Sequence, residues 1–145
     1  YPGALVDADG DVAVRCASSA GWSIAVAHPD DDLIELARLR APRHWPAHRF
    51  GVATSGTSVH RWRVAAGSTH HLIDPATGRP AETDIVQATV VADDTGLAEA
   101  LAKSAVIRGS RGSVGLLRRA GAWAALLLLD DGDLLTTPDT SRWLA

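Results

Sequence analysis

Turn-forming residues divide this sequence into short apolar runs, and that division is the feature that most limits what the chain can fold into. Clusters of glycine, proline, aspartate and serine bound segments whose β-branched or alternating residues are typical of strands. Strands joined by such short turns pair antiparallel. Because most elements are hairpin strands and two helices come late, the order predicts an α+β fold with an antiparallel sheet rather than a doubly wound parallel sheet.

The first part of the chain is predicted to begin with two strands. Residues 12–16 and 22–27 are β-branched or alternating runs, and we expect them to form a hairpin. The segment 30–51 is interpreted as irregular, because its leucines suit either a short helix or an edge strand and because Pro42 and Pro46 break any regular element.

Strands and two helices are predicted for the remainder. Strands are expected at 50–56 and 84–94, with hairpins at 59–74, around Ala65, Ala66 and Gly67, and at 122–138, around Asp131 and Gly132. A helix over 96–108 has Asp94 or Thr95 as its cap, an apolar stripe on one face and Gly109 at its end. A second, short helix is predicted over 113–121.

Composition excludes several classes of protein. A chain of 145 residues with 46% apolar content can bury one core, so we expect a single domain over residues 1–145. The longest apolar run, residues 120–129, is about half of a membrane span and predicts a buried strand. A net charge of −3 offers no basic surface for nucleic acid, and the single cysteine, Cys16, forbids an internal disulfide.

The stretch STHHLIDPATGRPAE, residues 68–82, is the first candidate site. In its turn, Asp74 can accept backbone amide hydrogens and Gly78 suits a left-handed conformation. His70 and His71 are adjacent in a strand, so they should point to opposite sides and only one can serve a given site. By spacing alone, the stretch is either a surface corner with solvated histidines or a ligand site.

Three further groups of side chains have the residue types of a binding site. The segment 53–56, ATSG, presents hydroxyls and backbone amides that suit an anion or serve an ordinary turn. Glu99 and Lys103, the only lysine, are spaced for an ion pair on one helix face. No zinc site is expected, because Pro46 prevents a helical pair of His44 and His48 and because His28 and His60 have no evident partners.

Taken in order, five stretches of the sequence resemble the ApbE family of FAD:protein FMN transferases. They are ADGDVAVR, GVATSG, HHLIDPATGRPA, VVADDTGLAEALAKSAVIRG and GAWAALLLLDDGDL, and the resemblance covers nearly the whole chain. Its most specific part is the run from His71 to Pro80, about fifteen residues after Thr54-Ser55-Gly56. The family's N-terminal half is not matched, and the corresponding half of the same protein is expected to pack against this chain.

The resemblance implies an α+β fold of the ApbE, or T-fold-like, type with FAD held in a cleft. It implies a magnesium-dependent transferase that splits FAD, attaches FMN to a threonine or serine of an acceptor flavoprotein, and releases AMP. A histidine that titrates near neutrality can serve as the base for the incoming hydroxyl, and the phosphoryl oxygens need charge neutralisation.

Site residues follow from the same resemblance. His71 is the implied catalytic acid or base, and Glu99 the implied metal ligand. The implied FAD-binding residues are Asp11, Thr54, Ser55, Gly56, His71, Leu72 and Asp74.

The sequence departs from the family pattern at two points within the matched part. A Gly-Gly-Asp of the family appears as Asp9-Gly10-Asp11, so one glycine's close approach to the ligand is lost. The family's aspartate and threonine metal ligands correspond to Glu99 and Lys103. A carboxylate still suits Mg²⁺, whereas a protonated lysine cannot be a ligand and would instead place its ammonium beside the phosphates, weakening or replacing the metal.

Alternatives remain beside the transferase. A non-catalytic protein would bind FAD without releasing AMP, an FAD pyrophosphatase would free FMN and AMP, and a purely structural protein would bind no flavin. The compartment stays open, because the family is often membrane-anchored or extracytoplasmic, a cytoplasmic location is compatible, and no targeting signal is recognised in the sequence.

Overall fold

The computed structural model of the protein describes residues 3–16, 22–42, 49–64 and 67–145. Its strands in chain order are β1 (Gly3–Ala8), β2 (Asp11–Cys16), β3 (Ser23–His28), β4 (Asp31–Arg40), β5 (Arg49–Gly56), β6 (Arg61–Val64), β7 (Gly67–His70), β8 (Ile73–Asp74), β9 (Arg79–Pro80), β10 (Ile85–Ala92), β11 (Ala124–Leu129) and β12 (Leu134–Thr136). The helices are α1 (Thr95–Arg108) and α2 (Ser110–Arg119), and a short 3-10 helix covers Pro138–Arg142.

A six-stranded antiparallel sheet forms the centre of the fold, in the order β1-β2-β5-β10-β11-β12. The remaining strands form three two-stranded pairs: β3 with β4, β6 with β7, and β8 with β9. The structure thus confirms an α+β fold with an antiparallel sheet and two late helices. No helix among the described residues is long and apolar enough to span a membrane.

Each face of the sheet is covered by a different element. Alternate residues of β5 point to opposite faces. Ala53 packs with the buried face of α1, including Ala98, Ala102 and Ala105. Val52 belongs to the core of the opposite face, which is shared with the β3–β4 hairpin. We call these the α1 face and the hairpin face.

Helix α1 begins and ends as the sequence predicts. The Asp94 carboxylate accepts a hydrogen bond from the Leu97 amide at 2.9 Å and so caps the helix. Gly109, with φ of 75°, ends it, and its amide bonds back to the last turn. The Thr95 hydroxyl does not cap; it donates to the Val12 carbonyl of β2 at 3.1 Å and ties the helix to the sheet.

The pairing predicted for the first strands is wrong. Residues 12–16 pair with β1 and β5, whereas β3 pairs with β4. The segment interpreted as irregular contains the ten-residue strand β4 and the start of β5. Period-2 alternation marks a strand but not its partner. In β4 the consecutive residues Leu33 and Ile34 are both exposed, which obscures the alternation.

The strand pairing of the other two hairpins was predicted correctly, although Ala65 and Ala66 of the first predicted turn lie outside the described residues. Strands β6 and β7 pair with each other, with Arg61 opposite His70 and Val64 opposite Gly67. Strand β11 pairs with β12 across the turn at Gly132. The 3-10 helix was not predicted. Its Thr140 hydroxyl donates to the Ala125 carbonyl at 3.0 Å and so closes the sheet beside β11.

Candidate functional site

The Asp74–Gly78 turn has the chemistry that its sequence predicts. The Asp74 carboxylate accepts from the Ala76 amide at 2.9 Å, and the Asp74 carbonyl accepts from the Gly78 amide at 2.8 Å. Gly78 has φ of 66°, the left-handed region in which glycine carries no steric cost. The carboxylate of Asp74, which was predicted to bind FAD, is therefore used to shape the turn between β8 and β9.

The two adjacent histidines have different environments. His70 is buried, its Nε2 lies 3.1 Å from the Ala81 carbonyl oxygen, and its Nδ1 accepts from the Leu72 amide at 3.3 Å. Because Nδ1 accepts, Nε2 carries the proton and donates it to Ala81. Both nitrogens of His70 are satisfied within the protein, so His70 is a structural residue.

His71 retains a nitrogen for other use. Its Nδ1 is buried and has no hydrogen-bond partner among the residues that the structure describes. Its ring meets the ring of His60, with centroids 4.9 Å apart and an interplanar angle of 89°. His60, for which the sequence indicated no partner, is thus a neighbour of the candidate catalytic histidine.

Surroundings keep His71 neutral. Burial lowers the pKa of His71 below its usual value, and the charges of His60, His70 and Lys103 lower it further, against an opposing hydrogen bond with the His60 backbone. A neutral imidazole at neutral pH can accept a proton. The environment of His71 is therefore suited to a general base.

Acidic and basic side chains gather on the α1 face. Ala13 pairs with Gly51, whose α-carbon faces α1, so Asp11, two residues earlier on β2, points to the same face. Burial raises the pKa of Asp11, Glu99 raises it further, and Lys103 opposes the rise. Lys103 also lowers the pKa of His71, which follows β7. We refer to Asp11, His71, Glu99 and Lys103, which are linked by these electrostatic effects, as the α1-face cluster.

Glu99 and Lys103 form the ion pair that their spacing predicts, with both side chains half-exposed. The described part of the chain contains no group of three or more His, Cys, Asp or Glu side chains placed to hold a metal ion. A magnesium site needs several oxygen ligands, whereas here an ammonium occupies the carboxylate of Glu99. The donor set in this part of the chain does not by itself fit magnesium.

Thr54 and Ser55 lie on opposite faces of the sheet. The Thr54 hydroxyl bonds with the Thr89 hydroxyl at 2.9 Å on the hairpin face, while Ser55 is buried on the α1 face. Gly56 must be glycine, because a Cβ there would come within 2.7 Å of the Val86 carbonyl oxygen. Of the two hydroxyls, that of Ser55 is on the same face as the α1-face cluster.

Leu72 packs into the core, and its backbone forms hydrogen bonds within the protein. Its side chain is buried, its amide donates to His70, and its carbonyl accepts from Ala81 at 2.9 Å. These bonds hold the segment after β7 and so set the direction of His71. The structure thus gives Leu72 a supporting position behind the candidate base.

Asp9 has the backbone conformation that glycine would adopt without cost. Its φ is 58°, followed by Gly10 at 94°, and the Gly10 amide donates to the Asp7 carboxylate at 2.9 Å. Aspartate tolerates this region better than most residues. The turn before Asp11 therefore forms although the sequence has aspartate where the family has its first glycine.

The other histidines that were considered as metal ligands lie away from the α1-face cluster or outside the described residues. His28 accepts from the Asp30 amide at 3.2 Å within the β3–β4 turn, on the hairpin face. His44 and His48 lie outside the described residues, as does Pro46. A separate open cleft of about 430 Å³ lies between the start of β10 and the α1–α2 junction, and none of the predicted site residues lines it.

Similarity to characterised sequences extends over most of the chain. A model of the ApbE family matches residues 1–127. An FAD:protein FMN transferase of Treponema pallidum is 30% identical over 122 residues, which cover 84% of this chain and 32% of that protein. An FAD:protein FMN transferase of Salmonella typhimurium is 27% identical over 131 residues, which cover 89% of this chain and 36% of that protein. The chain spans about a third of the length of these relatives.

Solved structures have the same fold. The ApbE protein of Thermotoga maritima superposes with a TM-score of 0.81 at 26% identity, covering 99% of this chain and 45% of that chain. The flavinyl transferase ApbE of Pseudomonas stutzeri gives a TM-score of 0.72 at 22% identity, covering 97% of this chain and 43% of that chain. Both neighbours share the α+β architecture described above.

Proposed function

The chain belongs to the ApbE family, and on that premise we propose that it is part of an FAD:protein FMN transferase. The relatives named so are about three times as long as the stretch that this chain matches. We propose that the remainder of such a fold packs against this chain and completes the cleft for FAD. The observation that carries the proposal is the buried Nδ1 of His71, which has no hydrogen-bond partner in the described part of the chain and belongs to a histidine whose pKa is lowered by burial and by Lys103.

In the proposed reaction, His71 acts as the general base. It accepts the proton of a threonine or serine hydroxyl of the acceptor flavoprotein, whose oxygen attacks the phosphorus of the FMN half of FAD. A new P–O bond forms, the bond to the AMP phosphate oxygen breaks, and AMP leaves. The proton on His71 then passes to the leaving phosphate or to solvent. A lowered pKa supports this role, because His71 is unprotonated at neutral pH.

Lys103 supplies positive charge in this proposal. Negative charge on phosphoryl oxygens must be neutralised during transfer, and an ammonium does so as a point charge. The family resemblance implies magnesium, but the Glu99 carboxylate that would bind it is paired with Lys103. Asp11 and Ser55, on the same face, are the candidates among the chain's residues for contacts with the dinucleotide.

The decisive assay is mass spectrometry of an acceptor flavoprotein incubated with the protein and FAD. We expect an added FMN mass on the acceptor and release of AMP. We expect His71→Ala to slow the transfer by about 10²- to 10⁴-fold while circular dichroism stays unchanged, because a positioned base contributes about that factor.

His28→Ala is the matched control, because His28 lies on the hairpin face and bonds only locally in the described structure. It should transfer FMN at the rate of the unmodified protein. Equal rates for His71→Ala and His28→Ala would remove His71 from the mechanism.

One alternative is favoured by a specific observation. The Glu99–Lys103 ion pair is also what a protein would have if it bound FAD without reacting. Such a protein would retain FAD through gel filtration and release no AMP. An FAD pyrophosphatase would instead release free FMN together with AMP, with no mass added to the acceptor.

A further inference from the structure

The β6–β7 hairpin brings His60 opposite His71. Its register pairs Arg61 with His70 and Trp62 with Thr69, so positions 60 and 71 are the next facing pair beyond the ladder. The two rings touch edge to face, with centroids 4.9 Å apart and planes 89° apart. The contact is therefore a consequence of strand pairing and not of chance side-chain placement.

His71 differs from its neighbour in what holds its ring. Both nitrogens of His70 have bonds to the backbone, which fix the orientation of that ring. The Nδ1 of His71 is buried without a partner among the described residues. The hydrogen bond with the His60 backbone is a single attachment for the ring of His71, so the orientation of the ring also depends on what packs against it.

We propose that His60 is a positioning residue for His71, whose ring packs edge-on against the His71 imidazole and keeps Nδ1 free for a bound ligand. The role given to that ligand rests on the proposed function, in which Nδ1 or Nε2 of His71 accepts the proton of the acceptor hydroxyl. The contact between the rings of His60 and His71 and the unpartnered Nδ1 in the described structure do not depend on that function.

Charge adds a second consequence of the same contact. Three basic residues lower the pKa of His71: His60, His70 and Lys103, of which His60 has the largest effect. A basic neighbour disfavours the protonated form of an imidazole. Removing the imidazole of His60 should therefore raise the pKa of His71.

Two substitutions separate the packing of His60 from its charge. His60→Phe keeps an aromatic edge and removes the charge, whereas His60→Ala removes both. The readout is long-range ¹H–¹⁵N NMR of the imidazole nitrogens during a pH titration of the unliganded protein, with the His71 signals assigned from His71→Gln. His28→Phe, on the hairpin face, is the control that should leave the His71 signals unchanged.

We expect His60→Ala to change the ¹⁵N shifts of His71, because its ring reorients and its tautomer ratio changes. His60→Phe should keep the tautomer ratio of the unmodified protein. Both variants should titrate His71 at a higher pH than the unmodified protein. Unchanged His71 shifts in His60→Ala would overturn the positioning role, as would equal changes in both variants.

The transfer assay is a separate readout. We expect His60→Ala to slow FMN transfer by up to about 100-fold, as misplacement of a reacting group does, and His60→Phe to retain most of the rate. In both variants the acidic limb of the pH–rate profile should move to higher pH. If the unmodified protein transfers no FMN, the proposed function fails while the NMR titration still decides the role of His60.

Discussion

Lys103 is the residue that most alters the chemistry expected of the α1-face cluster. It pairs with Glu99 one turn earlier on α1, and its charge lowers the pKa of both Asp11 and His71. A half-exposed pair of this kind contributes only a few tenths of a kcal/mol to folding. In the proposed function its importance is therefore electrostatic and lies in the charge that it would present to phosphate.

Lys103→Thr tests that electrostatic role. The substitution frees the Glu99 carboxylate and adds a hydroxyl, so oxygen ligands replace an ammonium and Mg²⁺ should be bound more strongly. We expect FMN transfer by the variant to depend more steeply on Mg²⁺ concentration than transfer by the unmodified protein. The measurement is a Mg²⁺ titration of the transfer rate.

Arg38→Thr is a suitable control, because Arg38 also forms an ion pair, with Glu35, but on strand β4. It should leave the Mg²⁺ titration unchanged. Superimposable titrations for Lys103→Thr and the unmodified protein would reduce Lys103 to the outer half of a helix ion pair.

Asp84 holds the start of α2. Its carboxylate accepts from the Ser110 amide at 2.8 Å and from the Ser110 hydroxyl, so it caps the start of α2 from the loop before β10. These bonds lower the pKa of Asp84, since both favour the ionised form. Folding therefore favours the carboxylate, and its stabilisation depends on pH.

The pH dependence has a definite sign. Because the folded pKa of Asp84 is below the unfolded value, the stabilisation is fully present above the unfolded value of about 3.9. It is lost as the pH falls through the folded pKa. We expect Asp84→Asn to lower the free energy of unfolding by about 1 kcal/mol at pH 7 and by much less below pH 3.

Urea denaturation at both pH values measures this difference. Asp133→Asn, at an exposed turn position between β11 and β12, is the control and should change little at either pH. A loss for Asp84→Asn that is the same at both pH values would show that the charge of Asp84 is not what stabilises α2.

At the scale of elements, helix α1 rests directly on the backbone of β5. A Cβ on Gly51 would lie 2.1 Å from the Thr95 amide nitrogen and 2.3 Å from the Asp94 carbonyl carbon. Both atoms are backbone and cannot turn aside. Only glycine at position 51 lets the first turn of α1 sit this close to the sheet.

Gly51→Ala should therefore destabilise the protein severely. We expect a loss of about 3 kcal/mol or more in the free energy of unfolding, because a buried backbone must move to make room. Gly96→Ala, in the first turn of the same helix, is the matched control, since its nearest heavy atom is the Asp94 carboxylate oxygen at 3.4 Å.

Alanine at position 96 should be neutral or stabilising, by up to about 1 kcal/mol, because alanine favours helix over glycine. Chemical denaturation of both variants gives the comparison. A tolerated Gly51→Ala, with α1 still folded, would mean that the helix and the sheet are not held at this distance.

The positions of the strands along the chain were easier to predict than the way in which the strands pair. Local residue chemistry decides caps and turns, so Asp94, Gly109 and the turn at Asp74 could be assigned from the sequence. Strand pairing is decided by contacts between distant segments, which alternation alone does not encode. The partner of β3 was therefore missed.

The candidate site was predictable to a similar extent. His71 was selected over His70 only through a family resemblance, since spacing indicates that the two diverge but not which one is buried and satisfied. His60 was overlooked, although the predicted hairpin at residues 65–67 carries the signal. Once Arg61 is set opposite His70, His60 must face His71.

The contact between Gly51 and Thr95 also governs how the molecule can diversify. Glu99 and Lys103 extend from a helix whose height above β2 and β5 is set by main-chain atoms and by the Thr95 hydroxyl on Val12. Side chains at 99 and 103 can then be exchanged without altering the platform that carries them. Gly51, which has no side chain, thus allows the charges and metal ligands on α1 to be substituted while the backbone of the helix and the sheet stays in place.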